Sequence, residues 1–384
     1  MSDAALERVW AAARGHVDDD GVPGVVALVA HAGEVHVGAF GALGRGRGPM
    51  TRDTLFRIAS VTKPITAACT LALIGEGLLG LDEPVGELLP ELADPRVLAR
   101  PDGPLDETVP AARAITTRDL LTFTFGLGFT WEMVASATPW PLYRACEDDL
   151  HLATLGAPNP AIQPDADTWI ERLGSLPLLA QPGERFLYNT SAAVLGVLCA
   201  RAGGASFGEV LASRVLAPLG MHDTAFLAVD PGRLATGYRM VDGELVVADE
   251  ADGVYARPPR FEDGGAGLVS SVDDLYRFAT MLASGGSPVL SAGQVAEMTR
   301  DQLTPAQKVH SAFGPGWFEH QSWGYGICVH DDGSYGWDGG LGATLRVDPA
   351  SDLVVIVLTQ RMFDSPDPPQ VHKDVRAAAY AAIR

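Results

Sequence analysis

The stretch FRIASVTKPITAA, residues 56–68, places Ser60 and Lys63 three positions apart. On a helix that spacing puts two side chains on one face, about 5–6 Å apart at Cβ. A serine hydroxyl is a poor nucleophile until something takes its proton. Lys63 sits among Ile58, Ile65, Ala68 and Leu71, and the chain has only two other lysines, Lys308 and Lys373. Loss of hydration in such surroundings disfavours the charged amine and lowers its pKa. A neutral amine at this distance is a base for the alcohol. A serine at a helix start also brings its own N–H and the helix dipole to bear on a developing oxyanion. The plainer reading is a lysine that snorkels from an ordinary helix, and S-x-x-K alone recurs by chance.

Three further stretches carry residues of chemical interest. GASFG, residues 204–208, matches the G-x-S-x-G pattern of a nucleophile elbow, which needs a strand before it and a helix after it. Here the preceding SAAVLGVLCARAGG is helical, and Ser206 followed by Glu209 reads as a capping box. Tyr188, in GERFLYNTSAAVLG, stands where a loop turns into a helix and projects a hydroxyl toward a cleft or packs on the core. In YGWDGGLGATLRVDP a glycine pair between short strands allows close backbone approach to a ligand, or simply makes a hairpin turn.

Positioning these residues requires a particular set of elements. An amphipathic N-terminal helix is followed by VVALVAHAGEVHVGAFG, two strands around an Ala-Gly-Glu turn. His31 and His36 flank that turn and read as structural, since no third ligand accompanies them. Residues 58–80 read as an almost wholly apolar, buried helix stopped by Gly77 and Gly80. Residues 80–260 alternate helices with Pro- and Gly-rich loops and offer little strand signal. Within them, 123–166 is a long aromatic excursion (Phe123, Phe125, Phe129, Trp131, Trp140, Tyr143) of the kind that forms lids or binding loops. Strand character returns in WGYGICVHDDG, SYGWDGG, GATLRVDP and LVVIVLTQ, and a helix over 370–383 follows. The expected fold class is α+β. An antiparallel sheet is built from both chain ends (1–58 and 262–384) and flanked by helices, with a mainly helical domain (59–261) inserted and the active site between them.

Taken in order, seven stretches resemble the serine β-lactamase and penicillin-binding-protein superfamily, class C-like branch, with its carboxylesterases, D-aminopeptidases and acyltransferases. They are FRIASVTKPITA, LDEPVGELLPEL, TTRDLLTFTFGL, QPGERFLYNTSAAVLG, LAPLGMHDTAF, GGAGLVSSVDDLYRFATML and GWDGG. The resemblance implies Ser60 as acylated nucleophile, Lys63 as its partner and Tyr188 as a sharer of the general-base role. It further implies an oxyanion hole from the Ser60 and Gly340 amides, and neither metal nor organic cofactor. Two departures bear on substrate. No K-T-G occurs; Trp337, Asp338 and Gly339 stand in its place, and an acid there repels a substrate carboxylate by roughly 1–4 kcal/mol at contact. The asparagine of Y-x-N is replaced by Thr190. Both argue against β-lactam or peptidoglycan recognition. With Phe125 and its aromatic neighbours as a pocket wall, the expected substrate is an ester of a small apolar acyl group. The alternatives are an acyltransferase using the same acyl-enzyme, an amide hydrolase of β-lactamase or D-aminopeptidase type, and a non-catalytic binding protein.

The bulk numbers set outer limits. The chain has 384 residues, 47% hydrophobic and 20% charged, as expected of a globular protein of up to two lobes. A net charge of −20 disfavours nucleic acid and anionic lipid as partners. The N-terminus lacks the basic and apolar regions of a secretory signal. Cys69, Cys146, Cys199 and Cys328 form no C-x-x-C pair, and a reduced, cytoplasmic setting is the simplest expectation.

Overall fold

A computed structural model describes residues 1–17, 21–309 and 313–384. Its centre is a seven-stranded antiparallel sheet. The strands are β1 (Gly24–His31) and β2 (Glu34–Gly41) from one chain end. From the other come β3 (Gln321–Trp323), β4 (Cys328–His330), β5 (Tyr335–Gly339), β6 (Ala343–Asp348) and β7 (Leu353–Thr359). The order across the sheet is β2-β1-β7-β6-β5-β4-β3. The two chain ends meet where β1 pairs with β7, Val25 opposite Thr359 through His31 opposite Leu353. The turn between β1 and β2 is Ala32-Gly33, both at positive φ (51° and 80°), which gives the tight reversal that fits strand twist. His31 reaches the Ser351 carbonyl and His36 pairs with Glu34.

Strand β1 is apolar without alternation because both faces of the sheet are covered. Val25, Ala27 and Val29 face helices α1 (Asp3–Arg14) and α5 (Gln370–Ala382), while Val26, Leu28 and Ala30 face the main core. On that main-core side lie three buried helices, α2 (Thr62–Gly75), α3 (Thr190–Gly203) and α4 (Val272–Ala283). Helix α2 begins later and ends earlier than the apolar run suggests. A 3₁₀ turn, Ala59–Val61, precedes it, and Gly77 at φ 74° closes its C-terminus, with Leu78 N–H bonded to the Leu73 carbonyl.

The region between the sheet halves contains more strand than its composition suggests. A hairpin, Gly237–Val241 against Glu244–Asp249, turns at Asp242-Gly243, with φ of 51° and 84°. Asp-Gly between alternating residues is a hairpin signal in its own right. A short ladder, Arg96–Leu98 with Thr108–Pro110, adds to it. Among the described residues no single helix is long and apolar enough to cross a membrane.

Candidate active site

The nucleophile candidate stands on a strained turn. Ala59, immediately before Ser60, has φ of 41°, a conformation that residues with a Cβ rarely adopt. The turn is held from two sides. The Ile58 amide donates to the Leu268 carbonyl at 3.0 Å. Behind it runs the end of β5, so close that a Cβ on Gly339 would lie 2.1 Å from the Ile58 carbonyl oxygen and 3.3 Å from the Ser60 nitrogen. Only a glycine lets the strand come this near.

One helical step on, Lys63 is fully buried. Its Nζ lies 2.8 Å from Ser60 Oγ and 2.7 Å from the Gly265 carbonyl oxygen. A carbonyl only accepts, so one N–H is committed there, and a neutral amine keeps its lone pair for the serine proton. Burial lowers the Lys63 pKa from 10.5 to about 7, against the opposing pull of the Asp263 carboxylate. Asp263 is itself buried, and burial pushes its carboxyl up despite the Gly265 amide bonded to it at 2.7 Å. Glycines 264 and 265 let this loop lie against the helices. A Cβ on Gly264 would fall 2.4 Å from the Ala192 carbonyl of α3, and the Gly264 carbonyl accepts from Thr66 of α2 at 2.7 Å.

Tyr188 arrives from the start of α3. Asn189 adopts φ 88° and ψ −65°, a tight kink that turns the chain from the Tyr188 strand segment into the helix. Its side-chain amide donates to the Thr154 carbonyl at 2.7 Å and holds the kink. The Tyr188 ring lies 4.8 Å from Lys63 Nζ. Trp337 Nε1 donates to Tyr188 Oη at 2.7 Å. An indole only donates, so the phenol proton remains free for another acceptor. Burial raises the Tyr188 pKa well above 10, against hydrogen bonds with Ser60 and Trp337 that pull it down. At neutral pH the phenol is therefore protonated, and the Lys63 amine is the one of the two with a lone pair free to take a proton.

Ser60 and Tyr188 open onto a cleft of about 610 Å³, walled by Phe129, Phe313, Trp317 and Trp337. Gly340 borders it, and a Cβ there would meet nothing within 4 Å. The Gly339 carbonyl accepts from Gly342 N–H at 2.9 Å. In a planar trans peptide the Gly340 N–H points the opposite way, out of that turn. The Ser60 and Gly340 amides thus flank one end of the cleft.

Two expected contacts fall elsewhere. Phe125 is wholly buried in the main core; Phe129, four residues on, is the cleft residue of that segment. The intervening Gly126 at φ 112° reverses the chain between them. Thr190 is also fully buried, its Oγ1 without a partner among the described residues, because the Asn189 kink turns it inward. The polar side chain that lines the cleft there is Asn189. Gly339 acts through its backbone against the Ser60 turn. Trp337 and Asp338 both border the cleft, the former bonded to Tyr188. Ser206 caps a helix reciprocally with Glu209. Sequence reading missed Asp263, Asn189, Phe313 and Trp317. None carries a motif, and their relevance lies in the third dimension.

The chain matches the family model described as Beta-lactamase over residues 9–380. It is 37% identical to Protein Rv1367c of Mycobacterium tuberculosis, over 82% of this chain and 80% of that one. It is 33% identical to Esterase EstB of Burkholderia gladioli, over 93% and 91% of the two chains. Among solved structures it resembles EstCE1, described as a hydrolase with promiscuous acyltransferase activity, with a TM-score of 0.80, 26% identity and 98% of each chain covered.

Proposed function

The chain belongs to the β-lactamase family, and within it we propose a serine carboxylesterase that works through an acyl-enzyme on Ser60. One observation carries this reading: a buried amine with a pKa of about 7 stands 2.8 Å from the serine hydroxyl. Neutral Lys63 takes the Ser60 proton as Oγ attacks the ester carbonyl. The carbonyl oxygen, now an oxyanion, is held by the Ser60 and Gly340 amides. As the tetrahedral intermediate collapses, the C–O bond to the alcohol breaks, and Tyr188 gives its proton to the departing oxygen and regains one from protonated Lys63. Water then enters, loses a proton to the same pair, and releases the acid and free Ser60. The aromatic wall supports an apolar acyl group, and the name of EstB supports an ester over an amide.

A second reading has an alcohol or amine intercept the acyl-enzyme in place of water. EstCE1, whose description includes acyl transfer, favours keeping it. Product analysis with added acceptor separates the two. The expected partner is a small-molecule ester, with neither nucleic acid nor membrane. The expected setting is the cytoplasm, which four buried free thiols suit. The test uses a p-nitrophenyl ester and a fluorophosphonate read by intact mass. Ser60→Ala should abolish both turnover and adduct, while Ser206→Ala keeps both. A surviving adduct in Ser60→Ala would move the nucleophile elsewhere, and no adduct on the wild-type chain would favour a binding protein.

A further inference from the structure

Most partly buried arginines in this protein are tied to a carboxylate. Arg57 pairs with Asp249, Arg113 with Asp119, Arg201 with Glu91 and Arg233 with Asp223. Two are not. Arg346 on β6 and Arg376 on α5 both border the cleft that holds Ser60, and among the described residues neither makes a hydrogen bond or ion pair. Among the described residues Arg346 Nε is shut off from solvent with no acceptor, and Asp338 Oδ1 is shut off with no donor. A buried charge left without a partner is costly. Its presence in a cleft points to a partner that comes and goes.

The register explains the grouping. Arg346 lies opposite Gly336 on β5, where a Cβ would fall 1.9 Å from the Leu345 carbonyl oxygen, and Asp338 follows two residues along on the same sheet face. Helix α5 covers that face and brings Arg376 over it. His330 borders the same end, and burial together with the two guanidiniums pushes its pKa down to about 3, so it stays neutral. The other carboxylates at the cleft are occupied. Asp263 accepts from Gly265, and Asp367 is bonded by Lys373. Two guanidiniums thus stand with one cleft carboxyl, Asp338, while Asp332 acts on Arg346 from outside the cleft.

We propose that Arg346 and Arg376 form an anion subsite of the Ser60 cleft, which takes a carboxylate carried by the ester substrate itself. The assignment rests on the esterase reading and narrows it to half-esters of dicarboxylic acids and similar monoanionic esters. It reverses the expectation that Asp338 makes this end hostile to a carboxylate. A guanidinium fork matches a carboxylate in shape.

The experiment compares kcat/KM for mono-p-nitrophenyl adipate and suberate with that for the neutral hexanoate and octanoate esters. In the wild-type protein at least one half-ester should be preferred by about 10-fold or more, the size expected of charge-assisted hydrogen bonds. That ratio should fall toward one in Arg346→Met and Arg376→Met and partly recover in Arg346→Lys. Thermal melting confirms that each variant is folded. Neutral esters turned over as well as or better than both half-esters by the wild-type protein would overturn the subsite while leaving the esterase intact. A half-ester preference unchanged in folded Arg346→Met and Arg376→Met would equally overturn the assignment to these residues. No turnover of any ester, with no adduct on Ser60, would remove the esterase reading and the subsite with it.

Discussion

Neutral Lys63 has one lone pair, and its bond to the Gly265 carbonyl decides where that pair points. In the proposed mechanism the residue acts as a base because it is kept dry. Its charged form is lost as pH rises through about 7, so the base appears over that range. The pH profile of kcat/KM on a neutral ester should therefore climb through about pH 7 and stay level well above it, since the Tyr188 phenol holds its proton there. A profile that is flat, or that falls on this interval, would contradict the assignment. Lys63→Met and Tyr188→Phe should each lower kcat/KM by at least about 10²-fold, the usual size of general acid–base help. Near-wild-type rates in either variant would take that residue out of the mechanism.

Elements supply the distances. The last residue of β5 lies against the turn before α2, and the space between them is the width of a missing side chain at Gly339. Gly339→Ala would drive a Cβ into the Ile58 carbonyl, with no flexible side chain to give way. Strand and turn must part, and with them the Ser60 and Gly340 amides. Circular dichroism should change little, while fluorophosphonate labelling of Ser60 slows by about 10²-fold or more, in the range seen for loss of one oxyanion donor. Labelling at the wild-type rate would mean that strand and turn need not touch. This contact was not legible in the sequence. A glycine pair between strands marks a close approach without saying to what, and the partner, Ile58, lies far away in the chain.

The whole molecule holds a charged amine out of water, and stability should register it. In the unfolded chain Lys63 keeps its proton up to about pH 10.5, whereas in the folded chain it releases it near 7. Between those values the unfolded state binds more protons, so stability rises with pH across the window, and below it the burial of Lys63 weighs fully against folding. Lys63→Met should thus raise Tm, and by more at pH 6 than at pH 10. An equal gain at both would show that the amine titrates alike in the two states. At this scale much was readable in advance. The apolar and alternating runs at both chain ends gave the sheet, and the spacing of Ser60 and Lys63 gave one helix face. The Asp242-Gly243 hairpin was equally readable and was obscured by the helical stretches around it. Asp263, Asn189 and the arginine pair were not readable, because each is defined by what stands across a gap. Thr190 and Phe125 failed for a related reason: position in a motif does not say which way a kinked backbone turns its side chains.

With three lysines in the chain, the amine can be observed directly. Protein labelled with ¹³C at lysine Cε should give three signals, and one should titrate with a midpoint near pH 7. That signal should be absent from Lys63→Met. If every lysine signal holds its charged position up to about pH 9, where a hydrated amine is still protonated, then Lys63 carries a proton at working pH and Ser60 has no neutral amine beside it.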